Sequence, residues 1–162
     1  MINIRQAKLS DLEQITDIYN DAVIYTTATF DTESKTAEQQ EIWFVSHDAR
    51  HPIIVAVDEA QIVGWSSLSQ WSERCAYADT AEISVYVRED YRGKGVGKQL
   101  MDAAIAEGKV RGLHTLIARI AEGNYVSIEM CKSFGFEYIG RMREVGNKFG
   151  KLLDVHVLQL IY

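Results

Sequence analysis

One proline, Pro52, and two cysteines, Cys75 and Cys131, are all that the chain carries of either residue. With so little proline, no low-complexity stretch and no repeat, nothing marks a linker or a boundary, and residues 1–162 read as one domain around one core. The cysteines form no C-x-x-C pair, which leaves free thiols in a reducing compartment as the simplest reading. His47, His51, His114 and His156 show no metal-ligand spacing, so no metal is expected. No apolar run approaches the roughly 18 residues of a membrane span. The opening Met1-Ile2-Asn3-Ile4-Arg5 alternates like a strand and lacks the apolar block of a secretory leader, so the expected compartment is the cytoplasm. Basic charge is also short. The 17 Lys and Arg against 23 Asp and Glu give a net charge of −6, which argues against a nucleic-acid partner. A polyanionic ligand would need a local cationic cluster or backbone amides.

What is present is an ordinary globular pattern. Ile2 to Gln6 reads as a strand. Ser10-Asp11-Leu12-Glu13 has the form of a capping box, followed by Leu12, Ile15, Tyr19 and Ala22 at helical spacing. Thr36-Ala37-Glu38-Gln39 opens a second helix that should run to about His47. Ile53 to Val57 and Ile62 to Leu68 read as paired strands about a turn at Asp58-Glu59, and Ala81 to Val87 as another strand. A helix over about Gly95 to Arg111 and a strand over Leu113 to Ile120 follow. Next comes a short helix from Ser127 to Phe134, stopped by Gly135 in a left-handed cap. Two last strands are expected near Phe136–Glu144 and Lys151–Leu160. The order β-α-α-β-β-β-α-β-α-β-β implies hairpins in the middle and one parallel crossover through the helix after residue 87. The class is α+β, a mixed, mostly antiparallel sheet with helices on both faces.

The most informative stretch runs from Ala81-Glu82-Ile83-Ser84-Val85-Tyr86-Val87 into Arg92-Gly93-Lys94-Gly95-Val96-Gly97-Lys98. Three glycines at alternate positions, just ahead of an amphipathic helix, let a ligand approach the backbone closely. The helix start offers unpaired N–H groups and a positive dipole end, and Arg88, Arg92, Lys94 and Lys98 add charge, so the segment suits a pyrophosphate. It is neither a Walker loop, which would need glycine at Arg92 and Ser or Thr at Gln99, nor a G-x-G-x-x-G dinucleotide turn. A plain strand-to-helix connection is the competing reading. Glu82, Ser84 and Tyr86 alternate with Ile83, Val85 and Val87 on this strand. A carboxylate mid-strand is costly unless it is exposed, paired or functional.

Arg92-x-x-Gly95-x-Gly97 resembles the [QR]-x-x-G-x-[GA] pyrophosphate loop of the GNAT N-acetyltransferase superfamily. Asn124, seven residues before Cys131, and Phe134-Gly135-Phe136 resemble that superfamily's second cofactor segment. Tyr19-Asn20-Asp21-Ala22-Val23, Thr29-Phe30, Arg74 with Ala76-Tyr77, Glu82-x-Ser84-Val85-Tyr86-Val87 and Val145-Gly146-x-Lys148-x-Gly150-x-x-x-Asp154 are similar to the phosphinothricin and methionine sulfoximine N-acetyltransferases. This resemblance implies the GNAT fold, acetyl-coenzyme A as donor, a small amino-acid analogue as acceptor and a homodimer. It implies Glu82 as general base, taking a proton from the acceptor's ammonium. It also implies the backbone at Val85 and Val87 as the pantetheine edge, with an N–H near Val87 polarising the thioester.

The same resemblance assigns Arg92, Gly93, Lys94, Gly95, Val96, Gly97 and Lys98 to the pyrophosphate. It gives Asn124 to the pantetheine arm, unless the residue serves only as a turn and helix cap. Phe30, Arg74 and Tyr77 would line the acceptor pocket, Arg74 as a bidentate grip on an acidic group. Without the resemblance, Arg74 reads as a surface arginine and the two aromatics as core. Cys131 departs from the pattern, since the superfamily often has tyrosine there and the subgroup histidine, as acid for the leaving thiolate. A thiol is a weak donor, and Cys131 reads as packing. Two rival functions stand beside this one. They are acetylation of protein N-termini or lysines, and a non-catalytic acyl-coenzyme A sensor.

Overall fold

Alternation along one strand sets the architecture. In β2 (Ile53–Asp58), Ile53, Val55 and Val57 enter a core on one face of the sheet, while Ile54 and Ala56 enter a second core on the other. A strand buried on both faces needs cover on both, and helices supply it. The computed structural model describes all residues, Met1 to Tyr162. β1 (Ile2–Gln6), β2, β3 (Gln61–Gln70), β4 (Thr80–Val87), β5 (Thr115–Ala121), β6 (Glu137–Lys148) and β7 (Lys151–Ile161) form one sheet in the order β1-β2-β3-β4-β5-β7-β6. Every neighbour is antiparallel except β4 and β5. The sequence order of elements is the expected one, and the class is α+β.

α1 (Leu12–Tyr25) and α2 (Ala37–Val45) lie between β1 and β2 in the chain, and α1 packs Ile15 and Ile18 against Trp65 and the odd-numbered residues of β2. α3 (Val96–Val110) supplies Val96, Leu100, Met101 and Ala104 to the larger core, with Ile83 of β4 and Leu116 of β5. α4 (Tyr125–Ser133) adds Ile128 and Cys131 to it. No helix is long and apolar enough to cross a membrane.

One cap differs from expectation. Ser10 does not cap α1. The carboxylate of Asp11 accepts the Lys8 backbone N–H at 2.7 Å and is gripped by both guanidinium ends of Arg5, at 2.7 and 2.9 Å. Residues 9–11 therefore close a tight turn before the helix begins. A buried carboxylate with a bidentate arginine outcompetes a serine hydroxyl for this role; the arginine holds the Asp11 carboxyl below its usual range. The second box forms as expected. Thr36 Oγ1 accepts from the Gln39 N–H at 3.2 Å, and Gln39 Oε1 accepts from the Thr36 N–H at 2.9 Å. Gly135, at φ +90°, ends α4 with its own N–H and that of Phe136 bonded to Lys132 and Cys131 carbonyls.

Candidate active site

The parallel pair β4–β5 holds for only three rungs, Thr80–Thr115, Ala81–Leu116 and Glu82–Ile117. Past Glu82 the two strands part. β4 continues to Val87, paired only with β3 through Gly64–Val87, so one edge of its backbone from Ile83 onward has no strand partner. Met101, Met130 and Cys131 from α3 and α4 line a cleft to which the parted strands also contribute. Its volume is about 840 Å³, within the range that holds a small ligand.

The wedge runs towards the start of α3. Gly93 and Gly95 have φ of +74° and +82°, a left-handed backbone that glycine adopts without strain, and neither would bring a Cβ within 4 Å of another group. Gly95 is the N-cap, no side chain caps the helix, and the first rung is the Gln99 N–H on the Gly95 carbonyl at 3.2 Å. The N–H groups of Val96, Gly97 and Lys98 precede that rung and point out of the helix end. Gly97 differs from the other two. Its φ is ordinary, and a Cβ there would rest 3.7 Å from both Val87 Cγ2 and Met130 Sδ, where the loop, the end of β4 and α4 meet. Arg92, Lys94 and Lys98 are exposed; Arg92 Nε also donates to the Val87 carbonyl at 3.2 Å. Arg88 is spent on Asp90, at 2.8 and 3.1 Å.

Asn124 lines the cleft and caps α4, its Oδ1 accepting the Ser127 N–H at 3.3 Å. The oxygen is used, and the carboxamide nitrogen is left for a ligand. Cys131 lines the cleft at 2% exposure, and burial pushes its thiol up to about 11. It is therefore a neutral thiol at neutral pH, and a weak hydrogen-bond donor.

The other side of the cleft is built from distant parts of the chain. The α1–α2 loop brings Thr29, Phe30 and Asp31 to the cleft, and α1, α2, β3 and β4 bring Tyr19, Trp43, Trp65 and Tyr86. Trp65 stacks on Tyr86 at 4.8 Å between centroids, with Tyr19 edge-on to Tyr86 at 5.4 Å and Trp43 edge-on to Trp65 at 5.3 Å. Tyr19 donates to the Asp31 carboxylate and lies 2.9 Å from Thr29 Oγ1. Burial pushes the Tyr86 phenol up to about 12 and the Tyr19 phenol higher still. The loop is moored to the β6–β7 hairpin. Phe30 packs on Gly146 so closely that a Cβ there would run into its ring. Lys148, 3% exposed, donates to the Thr29 carbonyl at 2.8 Å.

Phe30, Glu82, Val85, Asn124 and Cys131 thus come together in one cleft. Val87 and residues 92–98 stand beside it, past its lining. Arg74 and Tyr77 do not line it; both are exposed in the β3–β4 connection, Tyr77 at 44%. The residue that sequence reading missed is Arg119 of β5. Its Nε donates to Glu82 Oε2 and its Nη2 to Oε1, the latter at 2.9 Å, while its guanidinium lies 5.5 Å from the Trp71 ring centroid. The pairing raises the arginine's proton affinity further. A cation in the apolar run Leu116-Ile117-Ala118-Arg119-Ile120 was the available signal.

Comparison with known proteins agrees with this geometry. The model of the acetyltransferase (GNAT) family matches residues 13–136. A methionine sulfoximine/methionine sulfone acetyltransferase of Pseudomonas paraeruginosa is 42% identical over 98% of this chain and 93% of its own. A phosphinothricin N-acetyltransferase of Streptomyces coelicolor is 38% identical over 95% of this chain and 92% of its own. The crystal structure of a phosphinothricin acetyltransferase from Sinorhizobium meliloti in complex with acetyl-coenzyme A superposes with a TM-score of 0.95 at 30% identity, over 99% of this chain and 88% of that one. On the family model and these relatives, the chain belongs to the GNAT family of acetyltransferases.

Proposed function

We propose that this enzyme acetylates the α-amine of a small amino-acid analogue, of the methionine sulfoximine, methionine sulfone or phosphinothricin type, with acetyl-coenzyme A as donor. The observation that carries the reading is the free edge of β4, which leads from Glu82 to the uncapped start of α3. The residues fit the donor. The N–H groups at 96–98, flanked by Arg92, Lys94 and Lys98, suit a pyrophosphate, with Gly93 and Gly95 keeping the approach open. The backbone at Val85 and Val87 is an edge on which an extended amide-bearing arm pairs like an added strand, and the Asn124 carboxamide is a further donor. When bound, acetyl-coenzyme A supplies an electrophilic thioester carbon and a thiolate that leaves readily, since thiol pKa values lie near 8.5.

Glu82 projects from the same strand as that edge and is the proton acceptor for the attacking amine. A backbone N–H near Val87 stabilises the oxyanion. The cleft wall carries charges of both signs, Asp31 and Glu82 against Lys35 and Arg119, which suits a zwitterion better than an extended protein segment. Acetylation removes the ammonium of such an analogue and with it the resemblance to an amino acid, which fits a detoxifying role. The free cysteines, one exposed and one buried, fit a reducing cytoplasm. Tyr138, Ile139, Val145, Phe149 and Leu152 are exposed on the β6–β7 hairpin, where β6 is the sheet edge, and support a homodimer through this region; a monomer mass by light scattering at micromolar concentration would reject it.

A thiol-release assay with acetyl-coenzyme A tests the function. Turnover is expected with methionine sulfoximine, methionine sulfone or phosphinothricin. Turnover confined to peptide N-termini or lysines would make this a protein acetyltransferase. Cofactor binding with no turnover on any amine would make it a sensor.

A further inference from the structure

Arg119 and Lys35 are the two cationic side chains in the cleft wall. Lys35 faces Asp31 at 3.6 Å. Arg119 sits where β4 and β5 part. Glu82 and Ile117 form the last rung, and Arg119, two residues further along β5, reaches back across the gap to clasp Glu82 with two hydrogen bonds. The guanidinium is half exposed, at 49%, and the carboxylate less so, at 22%. Two of the roughly four lone-pair positions of Glu82 are thus occupied by its own neighbour. In this state the two positions that face the gap are taken, and an amine entering there has to compete with Arg119 for the carboxylate.

An α-amino acid carries an ammonium and a carboxylate on one carbon. Glu82 and Arg119 present a carboxylate and a guanidinium one hydrogen bond apart. The two pairs are complementary, and exchanging partners turns one intramolecular pair into two intermolecular ones with no charge left unpaired. We propose that Arg119 is the acceptor-carboxylate site and that occupying it unclasps Glu82. The acceptor's carboxylate takes the Nη edge of the guanidinium, Oε1 of Glu82 is released, and the ammonium gives its proton to that carboxylate before attack. The Trp71 ring, 5.5 Å from the guanidinium, keeps its cation–π contact during the exchange. Carboxylate recognition and activation of the base are then one event, so an amine lacking the carboxylate binds poorly and is also deprotonated poorly. The inference rests on the amino-acid reading of the acceptor given above.

The test compares methionine sulfone with 3-(methylsulfonyl)propylamine, the same molecule without its carboxylate. In the wild type, the amine is expected to show both a raised KM and a kcat lower by about tenfold or more. Arg119→Gln should lower kcat/KM for methionine sulfone by roughly 10- to 100-fold, the worth of a bidentate charged contact. The same variant should raise kcat for the amine severalfold, because Glu82 is no longer clasped. Arg119→Lys, which keeps the charge without the fork, should fall between. Acetyl-coenzyme A affinity by calorimetry reports that each variant is folded. Should Arg119→Gln fail that check, the wild-type kcat comparison and Arg119→Lys decide alone. Equal losses on both acceptors in Arg119→Gln, or equal wild-type kcat values, would overturn the proposal and leave the acetyltransferase reading intact. A wild type that turns over the amine but no amino acid would overturn both.

Discussion

The two walls of the cleft are made of different material. The wall we propose for the donor is backbone, namely the free edge of β4, two glycines with positive φ and the first N–H groups of α3, all within residues 82–98. The wall we propose for the acceptor is side chains, with Tyr19, Phe30, Trp43, Trp65, Tyr86 and Arg119 drawn from α1, the α1–α2 loop, α2, β3, β4 and β5. On that assignment, backbone groups recognise what every donor has in common, a pyrophosphate and an amide-bearing arm. Side chains recognise what distinguishes one acceptor from another. Substitutions should therefore separate cleanly, changing affinity for one substrate and sparing the other.

Glu82 stands where the walls meet, and its loss should be the largest. Glu82→Gln keeps the shape and removes the proton acceptor. Turnover should fall by roughly 10²-fold or more at neutral pH, with acetyl-coenzyme A affinity unchanged by calorimetry. The deficit should shrink as the pH approaches that of the free amine. Near wild-type turnover at neutral pH would remove Glu82 from the mechanism.

Gly95→Val tests the donor wall alone. A β-branched residue at φ +82° is strained by about 1–3 kcal/mol and deforms the loop. Acetyl-coenzyme A affinity should drop by about tenfold or more, while KM for the acceptor, measured at saturating donor, stays within about twofold. Equal damage to both substrates would mean that the walls are not independent.

Lys148→Met tests the acceptor wall alone, from outside the cleft. Lys148 ties the Thr29 carbonyl to the hairpin with a buried ammonium, whose proton affinity is lowered by desolvation. Methionine fills a similar volume without the tie. Losing one charged hydrogen bond, worth about 1.5–3 kcal/mol, should loosen the Phe30 loop and raise the acceptor KM by about tenfold. Donor affinity should not move, and a change in it would count against the separation.

The same contrast decides what sequence alone could reveal. The donor wall lies in one stretch, so its glycines, its alternating strand and its helix start were legible together, and the element order followed from periodicity and turns. The acceptor wall depends on which strands become neighbours. Arg74 was expected as the carboxylate grip on the family resemblance alone, and in the fold it is exposed and does not line the cleft. Arg119 looked like one position in an apolar strand, and only the parallel pairing of β4 with β5 brings it to Glu82. The argument that singled out Glu82, a charge among apolar strand residues, applies equally to Arg119. Ser10 was misassigned for a related reason, because Arg5, on the preceding strand, recruits Asp11 instead.

Cys131 should give the smallest effect on catalysis, although it lies in the cleft between the walls. Burial raises its thiol from 9.0 to about 11, so it rests neutral near pH 7, and a thiol is a weak donor. The leaving thiolate is stable enough in water to depart without a strong acid. Cys131→Ala should keep turnover within about tenfold of the wild type, and a loss of about 10³-fold with donor affinity intact would make the thiol a working acid. The residue should instead show itself in stability. Between pH 9.0 and about 11 the unfolded chain releases this proton while the folded chain keeps it. The burial-linked contribution is therefore fully present below pH 9.0 and lost as the pH climbs to about 11. Two pKa units correspond to about 2–3 kcal/mol. Cys131→Ala has no thiol to titrate, so the stability of the wild type relative to the variant should decline by that amount across the interval in urea titrations. A difference that stays flat with pH would mean that the thiol is not held in its neutral form by the cleft wall, and the acid role would have to be reopened.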